Sequence, residues 1–173
     1  MVVVRLIALC FVASSCLAAG STPEQTIEQL WQAFSHPPGV SADTQTLQTL
    51  FHPQAMVFGS RYRQQQPELR INNAQDFVAS LQKVSEQGFY ECEISRSVER
   101  QDRFAQVYSV VESRRDPKAP QADFVGVNSI QLYQTDKGWQ ILSLYYHVDP
   151  DLAARLSIAN SGNCLSSDSP RTP

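Results

Sequence analysis

Near the end of the chain stands VNSIQLYQTDKGWQILSLYYHV, two runs rich in β-formers around a turn, with Asn128, Tyr145 and His147 set among apolar residues. These side chains are able to do chemistry. An imidazole titrates near neutral pH, which makes His147 the candidate general acid or base, while the Tyr145 phenol or the Asn128 amide can orient a carbonyl. Pairing the runs across Asp136-Lys137 sets Gln134 opposite Trp139, Leu132 opposite Ile141, Ile130 opposite Ser143, Asn128 opposite Tyr145 and Gly126 opposite His147. Strand side chains alternate, so Asn128, Tyr145 and His147 are expected on one face with Ile130, Leu132, Ile141 and Ser143. Val125, Val127, Leu142, Leu144, Tyr146 and Val148 then fall on the other.

Two readings of the polar three stay open. They line a pocket whose walls are otherwise apolar, the usual build of a small-ligand site, or they satisfy one another and the backbone inside a filled core. His147 has a further reading as a solvated ring at the strand end, beside Asp149-Pro150. The other histidines, His36 and His52, stand next to prolines, where turn and capping roles suffice. No His/Cys/Asp/Glu set has metal-ligand spacing, no glycine-rich phosphate loop is present and no nucleophile elbow occurs, so neither a metal nor a cofactor is assigned. The most basic stretch is SRYRQQQPELRI, whose glutamines suggest a solvated loop.

The elements that position these residues are legible from periodicity. TPEQTIEQLWQAF offers Thr22 as N-cap and Pro23 at the first helical position, with Ile27, Leu30, Trp31 and Phe34 along one helical face. A second, shorter helix follows from about Asp43, with Leu47, Leu50 and Phe51 inward. A third is expected after Asn72-Asn73, burying Phe77, Val78, Leu81 and Val84 and ending at Gly88. Ala55 to Phe58 reads as a short extra strand. After Gly88 the period becomes extended, giving a four-stranded antiparallel meander over Phe89 to Glu99, Phe104 to Arg114, Asp123 to Gln134 and Trp139 to Val148. The fold class is therefore α+β, with three N-terminal helices against one side of an antiparallel sheet. Both sheet faces carry enough apolar surface to need cover, the second from loops or from another chain.

The 173 residues suit a single domain over residues 22–158, preceded by a signal peptide at residues 1–20 and followed by a mostly irregular tail at residues 159–173. MVVVRLIALCFVASSCLAAGS has the order of an export signal: one cation, an apolar run, then small residues, with cleavage placed around Ala19 and Gly20. Lipid attachment at Cys16 is the competing reading, weakened because Ala13 stands where a large aliphatic residue is usual. The expected location is periplasmic or extracellular, with no membrane span in the mature chain. Removing the signal takes away Arg5 and no acid, so 14 bases become 13 against 17 acids and the charge goes from −3 to −4. That balance, without a Lys/Arg cluster, excludes nucleic acid as a partner. Of the four cysteines, Cys92 and Cys164 remain after cleavage, and an oxidising compartment would join them in a disulfide.

The phrases IEQLWQAF, TLFHPQAMVFG, AQVYSVVES and GVNSIQLYQTDKGWQILSLYY, in this order, resemble the nuclear-transport-factor-2-like superfamily with its SnoaL-like domains, and most closely its uncharacterised secreted members. The resemblance covers roughly residues 24 to 148. It implies a cone in which a strongly curved sheet wraps the helices around a ligand pocket, with Asn128, Tyr145 and His147 on the concave side and Trp31 and Tyr62 among the pocket residues. It also sets SRYRQQQPELRI near the mouth of that pocket, where Arg61 or Arg63 with Tyr62 could receive an anionic group. The superfamily includes ketosteroid isomerase, and that enzyme's tyrosine, base and protonated acid fall near Trp31, Gly59 and Ile130, none of which can take the corresponding role. Steroid isomerisation by that residue set is thus not expected. Three functions remain: an exported domain holding a small, mostly apolar molecule; an isomerase, dehydratase or cyclase using His147 as acid/base; and a non-catalytic module that forms a homodimer through the sheet.

Overall fold

A computed structural model describes residues 19–159 and 162–165. The expected signal peptide lies outside the described residues, apart from Ala19 and Gly20. Helix α1 (Pro23–Phe34) starts where Thr22 accepts a hydrogen bond from the Gln25 N–H, and it buries Ile27, Leu30, Trp31 and Phe34. Helix α2 (Thr44–Leu50) is capped by Asp43, whose carboxylate accepts from the backbone and hydroxyl of Thr46 and is held below its ordinary pKa by those bonds. Strands β1 (Phe51–Arg63) and β2 (Gln66–Asn73) lead into α3 (Ala74–Ser80); β3 (Tyr90–Gln101), β4 (Phe104–Arg114), β5 (Phe124–Thr135) and β6 (Gly138–Val148) follow, then the short α4 (Leu152–Arg155). The chain is α+β: helices pack against a curved, mixed sheet of six strands in the order β2-β1-β6-β5-β4-β3.

The meander β3 to β6 is antiparallel throughout, as its connections require, and the sheet is completed by β1, which runs parallel to β6. Here the sequence expectation falls short. The expected strand of four residues at Ala55 to Phe58 is one of 13, and SRYRQQQPELRI is a hairpin, not a loop. Its turn is made by Gln64 and Gln65 at φ 50° and 64°, the left-handed pair of a tight hairpin that Asn-Gly usually announces. The third helix is likewise shorter than expected. It stops at Ser80, and Val84 is 59% exposed, because the segment beyond it is drawn off to pair with the α1–α2 connection, Gly39 N–H to Ser85 O at 2.8 Å and His36 N–H to Phe89 O at 2.7 Å. Gly88 therefore ends no helix; a Cβ there would lie 2.7 Å from the Tyr90 ring and 2.9 Å from Arg115 O.

A β-bulge decides which side chains face inward. From the turn, Gln134 pairs with Trp139 and Leu132 with Ile141, as sequence pairing gives; then Leu142 is left over, and Gln131 pairs with Ser143, Ile130 with Leu144, Asn128 with Tyr146 and Gly126 with Val148. One extra residue exchanges the faces of everything beyond it on β6. Leu144, Tyr146 and Val148 thus join Asn128 and Ile130 on the concave side, and Tyr145 and His147 turn to the convex side.

Concave residues form the main core, including Ile27, Leu30, Leu47, Val57, Val107, Ile130, Leu132, Trp139 and Ile141. On the convex side, Leu152 of α4 covers Val110 and Val125. Cys92 and Cys164 form a disulfide across 72 residues, and the Leu165 N–H donates to Glu93 O at 2.7 Å, so the tail is held against edge strand β3. Closing a loop of that length lowers the entropy of the unfolded chain by an amount worth about 4 kcal/mol in the chain-entropy model.

Candidate functional site

Between the helices and the concave sheet lies a cavity of about 380 Å³, within the range of small-ligand sites. Strand register arranges its sheet wall in four tiers. The innermost is that of Leu144, in the row of Val57 and Ile130; then come Gly59–Tyr146–Asn128, Arg61–Val148–Gly126–Val111 and, outermost, Phe124–Ser113–Glu91. From the Phe124 tier to the Asn128 tier is four residues of β5, about 13 Å at 3.3 Å per residue. Trp31 and Phe34 of α1, Phe77 of α3, and Leu81 and Phe89 close the other side.

The wall is mostly aromatic, and its rings touch: Trp31 with Phe34 at 6.1 Å between centroids, Phe34 with Phe77 at 6.0 Å, Phe77 with Tyr146 at 6.5 Å and Phe89 with Phe124 at 6.2 Å. Gly59 is required here, since a Cβ at that position would lie 2.2 Å from the Tyr146 ring. The lining is thus made largely of rings, which give large apolar area with few rotatable bonds.

Four polar side chains interrupt this lining. Asn128, 5% exposed, stands in the tier of Tyr146 and Gly59, one row out from Leu144. Ser113 donates from Oγ to Glu91 Oε2 at 3.0 Å, while the Glu91 N–H donates to Ser35 Oγ at 2.9 Å. Burial among the surrounding rings raises the Glu91 carboxyl to about 8, an effect only partly offset by the Ser113 hydrogen bond. Glu91 is therefore a neutral acid at pH 7, able both to donate and to accept. Arg61 stands at the opposite flank, its Nε 3.3 Å from Glu68 Oε2. In the helical wall, Trp31 Nε1 is buried without a hydrogen-bond partner.

The residues expected from sequence are divided by the sheet. Trp31 and Asn128 line the cavity. Tyr62, Tyr145 and His147 do not: they cluster on the convex face, Tyr62 and Tyr145 each packing on His147 with centroids at 6.2 and 6.5 Å. The bulge at Leu142 is the reason for Tyr145 and His147. Tyr62 follows because even-numbered residues of β1 share their face, with Phe58 opposite Tyr145 and Ser60 opposite His147. His147 therefore has no access to the cavity as an acid/base, and Glu91 is the carboxyl that lines it. Sequence reasoning passed over Glu91, although YECEIS alternates acids with apolar residues and so places Glu91 and Glu93 on one face of a strand whose other face is apolar. Glu93 has a different task, since with Ser109 and Arg96 it forms a buried ion-paired cluster that ties β3 to Glu24 O of α1. No group of His, Cys, Asp and Glu able to hold a metal occurs among the described residues, and no helix among them is long and apolar enough to cross a membrane.

No family model matches the sequence, and no curated protein does. Solved structures do match. An NTF-2-like protein of unknown function from Silicibacter pomeroyi DSS-3 aligns at TM-score 0.50 and 20% identity over 71% of this chain and 89% of its own. An NTF2-like protein of unknown function from Shewanella baltica OS155 aligns at TM-score 0.51 and 16% identity over 76% and 99%. A protein named as a candidate ketosteroid isomerase from Parabacteroides distasonis ATCC 8503 aligns at TM-score 0.50 and 12% identity over 75% and 89%. Identities this low speak for the fold alone. Taken with the helix order, the curved sheet and the cavity between them, they establish that the chain has the nuclear-transport-factor-2-like fold.

Proposed function

We propose that this is an exported domain that binds a small, largely apolar molecule in the cone. The observation that carries the reading is the cavity itself: aromatic walls interrupted by Asn128, Ser113 and the neutral Glu91 carboxyl. An apolar lining gives affinity, and a few polar groups fix orientation. The N-terminal charge and apolar order supports export, as does the disulfide. A screen of small aromatic and aliphatic compounds, read by tryptophan fluorescence, tests the reading. Gly126 lines the cavity, and a Cβ there meets only ordinary contacts at 3.5 and 3.6 Å, so Gly126→Leu should fill the space and abolish binding while the protein stays folded. Hits that bind the variant equally well would place them elsewhere.

One observation favours a catalytic version of the same reading. A carboxyl titrating at about 8 inside an apolar cavity suits proton transfer at neutral pH. In that version Glu91, not His147, is the acid/base of an isomerase-, dehydratase- or cyclase-type reaction, and Glu91→Gln should abolish turnover of a bound substrate while leaving its binding intact.

We also propose that two copies meet through the convex face. Its row Tyr108–Ser129–Tyr145–Phe58 is uncharged, with Tyr108 50% and Tyr145 39% exposed, and an uncharged row meets its own copy without like-charge repulsion. Sedimentation should report a dimer that Tyr145→Lys splits into monomers; a wild-type monomer at high concentration would end the proposal.

A further inference from the structure

We infer that the molecule taken up by the cavity is an apolar carboxylic acid bound as its anion, with the carboxylate seated on the half-exposed Arg61 guanidinium at the β1 flank and the apolar body directed between the rings. The inference rests on the binding reading above and adds the chemical class of the ligand. Among the described residues that line the cavity Arg61 is the single cation, at the far end of its row from Val111. A guanidinium presents a planar fork of donors that matches a carboxylate.

The present partner of Arg61 is replaceable. Glu68 faces it across the β1–β2 hairpin, half-exposed, through a single contact at 3.3 Å. Glu68 is also held by Arg70, through Nε at 3.2 Å and Nη2 at 3.1 Å, so it keeps a cation when Arg61 turns to a ligand. Exposed pairs of this kind contribute little, whereas a carboxylate brought to the mouth of an apolar cavity by its own hydrophobic body interacts in a drier setting.

Nothing in the lining opposes an anion. Burial raises Glu91, the carboxyl of the wall, to about 8, which favours its neutral form at pH 7. The rest of the β1–β2 hairpin is cationic, with Arg63 and Arg70 against Glu68. The lining rings and aliphatic groups disfavour a doubly charged, strongly hydrated group such as a phosphate monoester, since their apolar area is gained only if the body of the ligand is apolar.

Calorimetric titration of naphthoate and decanoate, each beside its methyl ester, tests this on the full disulfide-bonded protein. The acids should bind about tenfold or more tightly than their esters, as expected for one charge-assisted pair. Arg61→Met should remove that advantage and leave ester binding unchanged, Glu68→Gln should tighten the acids alone, and Arg63→Met should alter neither. Esters that bind as well as acids, or an Arg61→Met that weakens both alike, would overturn the carboxylate assignment while the cavity reading stands. Failure of all four compounds to bind would overturn both.

Discussion

A carboxyl without charge is the unusual residue of this cavity, and its energetics set a pH dependence. The Glu91 pKa rises from an ordinary 4.5 to about 8 because burial penalises the charged form more than the Ser113 hydrogen bond favours it. Between those values the folded chain holds a proton that the unfolded chain has released, so stability falls as pH rises from about 4.5 to about 8 and levels off above. Because the cavity opens to solvent, the full shift is discounted to a change of roughly 2–3 kcal/mol. Urea midpoints measured across this interval should decline in the wild type, and Glu91→Gln should lack that component of the decline. Equal slopes in the two proteins would show that Glu91 is charged in the fold. At this scale the sequence was half legible. Trp31 and Asn128 were recoverable because helix and strand periodicities are counted from firm starting points. Tyr145 and His147 were not, since a bulge at Leu142 leaves no mark in a run as uniformly apolar as WQILSLYY.

Among the elements, the contact between β1 and β6 shapes the floor of the cavity. The Tyr146 ring occupies the space that a Cβ on its parallel partner Gly59 would take, 2.2 Å from where that Cβ would stand. Gly59→Ala should push the ring into the cavity, cost about 1–3 kcal/mol as overpacking does, and weaken ligand binding. Tyr146→Leu in the same chain should recover most of the stability, a coupling that a double-mutant cycle on urea midpoints measures. Additive losses would mean that the ring and the glycine do not meet. The meander and the first two helices were legible from caps and period, with Thr22 and Asp43 capping where their types suggest. The β1–β2 hairpin was hidden because Gln64 and Gln65 adopt positive φ without the glycine or asparagine that signals it. The end of α3 was hidden because Val84 fits the helical period but is 59% exposed, the backbone there being claimed by the α1–α2 connection.

For the whole molecule, the two ends of the described chain are fastened to opposite parts of the sheet. The Trp139 N–H donates to Gly20 O at 3.0 Å, beside the β5–β6 turn, and the Cys92–Cys164 disulfide holds the tail to β3. The α+β class was readable from element order and the curvature of the sheet only through the family resemblance, whereas the direction of β1 relative to β6 was not readable, since parallel pairing between distant segments has no local signature. The central claim is that Asn128 is kept in the cavity wall for a ligand and not for the fold. Its most direct test is Asn128→Leu with two readouts on one protein: the unfolding midpoint, and the affinity for an aromatic or aliphatic compound that binds the wild type and fails to bind Gly126→Leu. The account predicts an affinity loss of about fivefold or more, the worth of about one hydrogen bond, with the midpoint unchanged or raised. A lowered midpoint with unchanged affinity would contradict it and make Asn128 part of the packing.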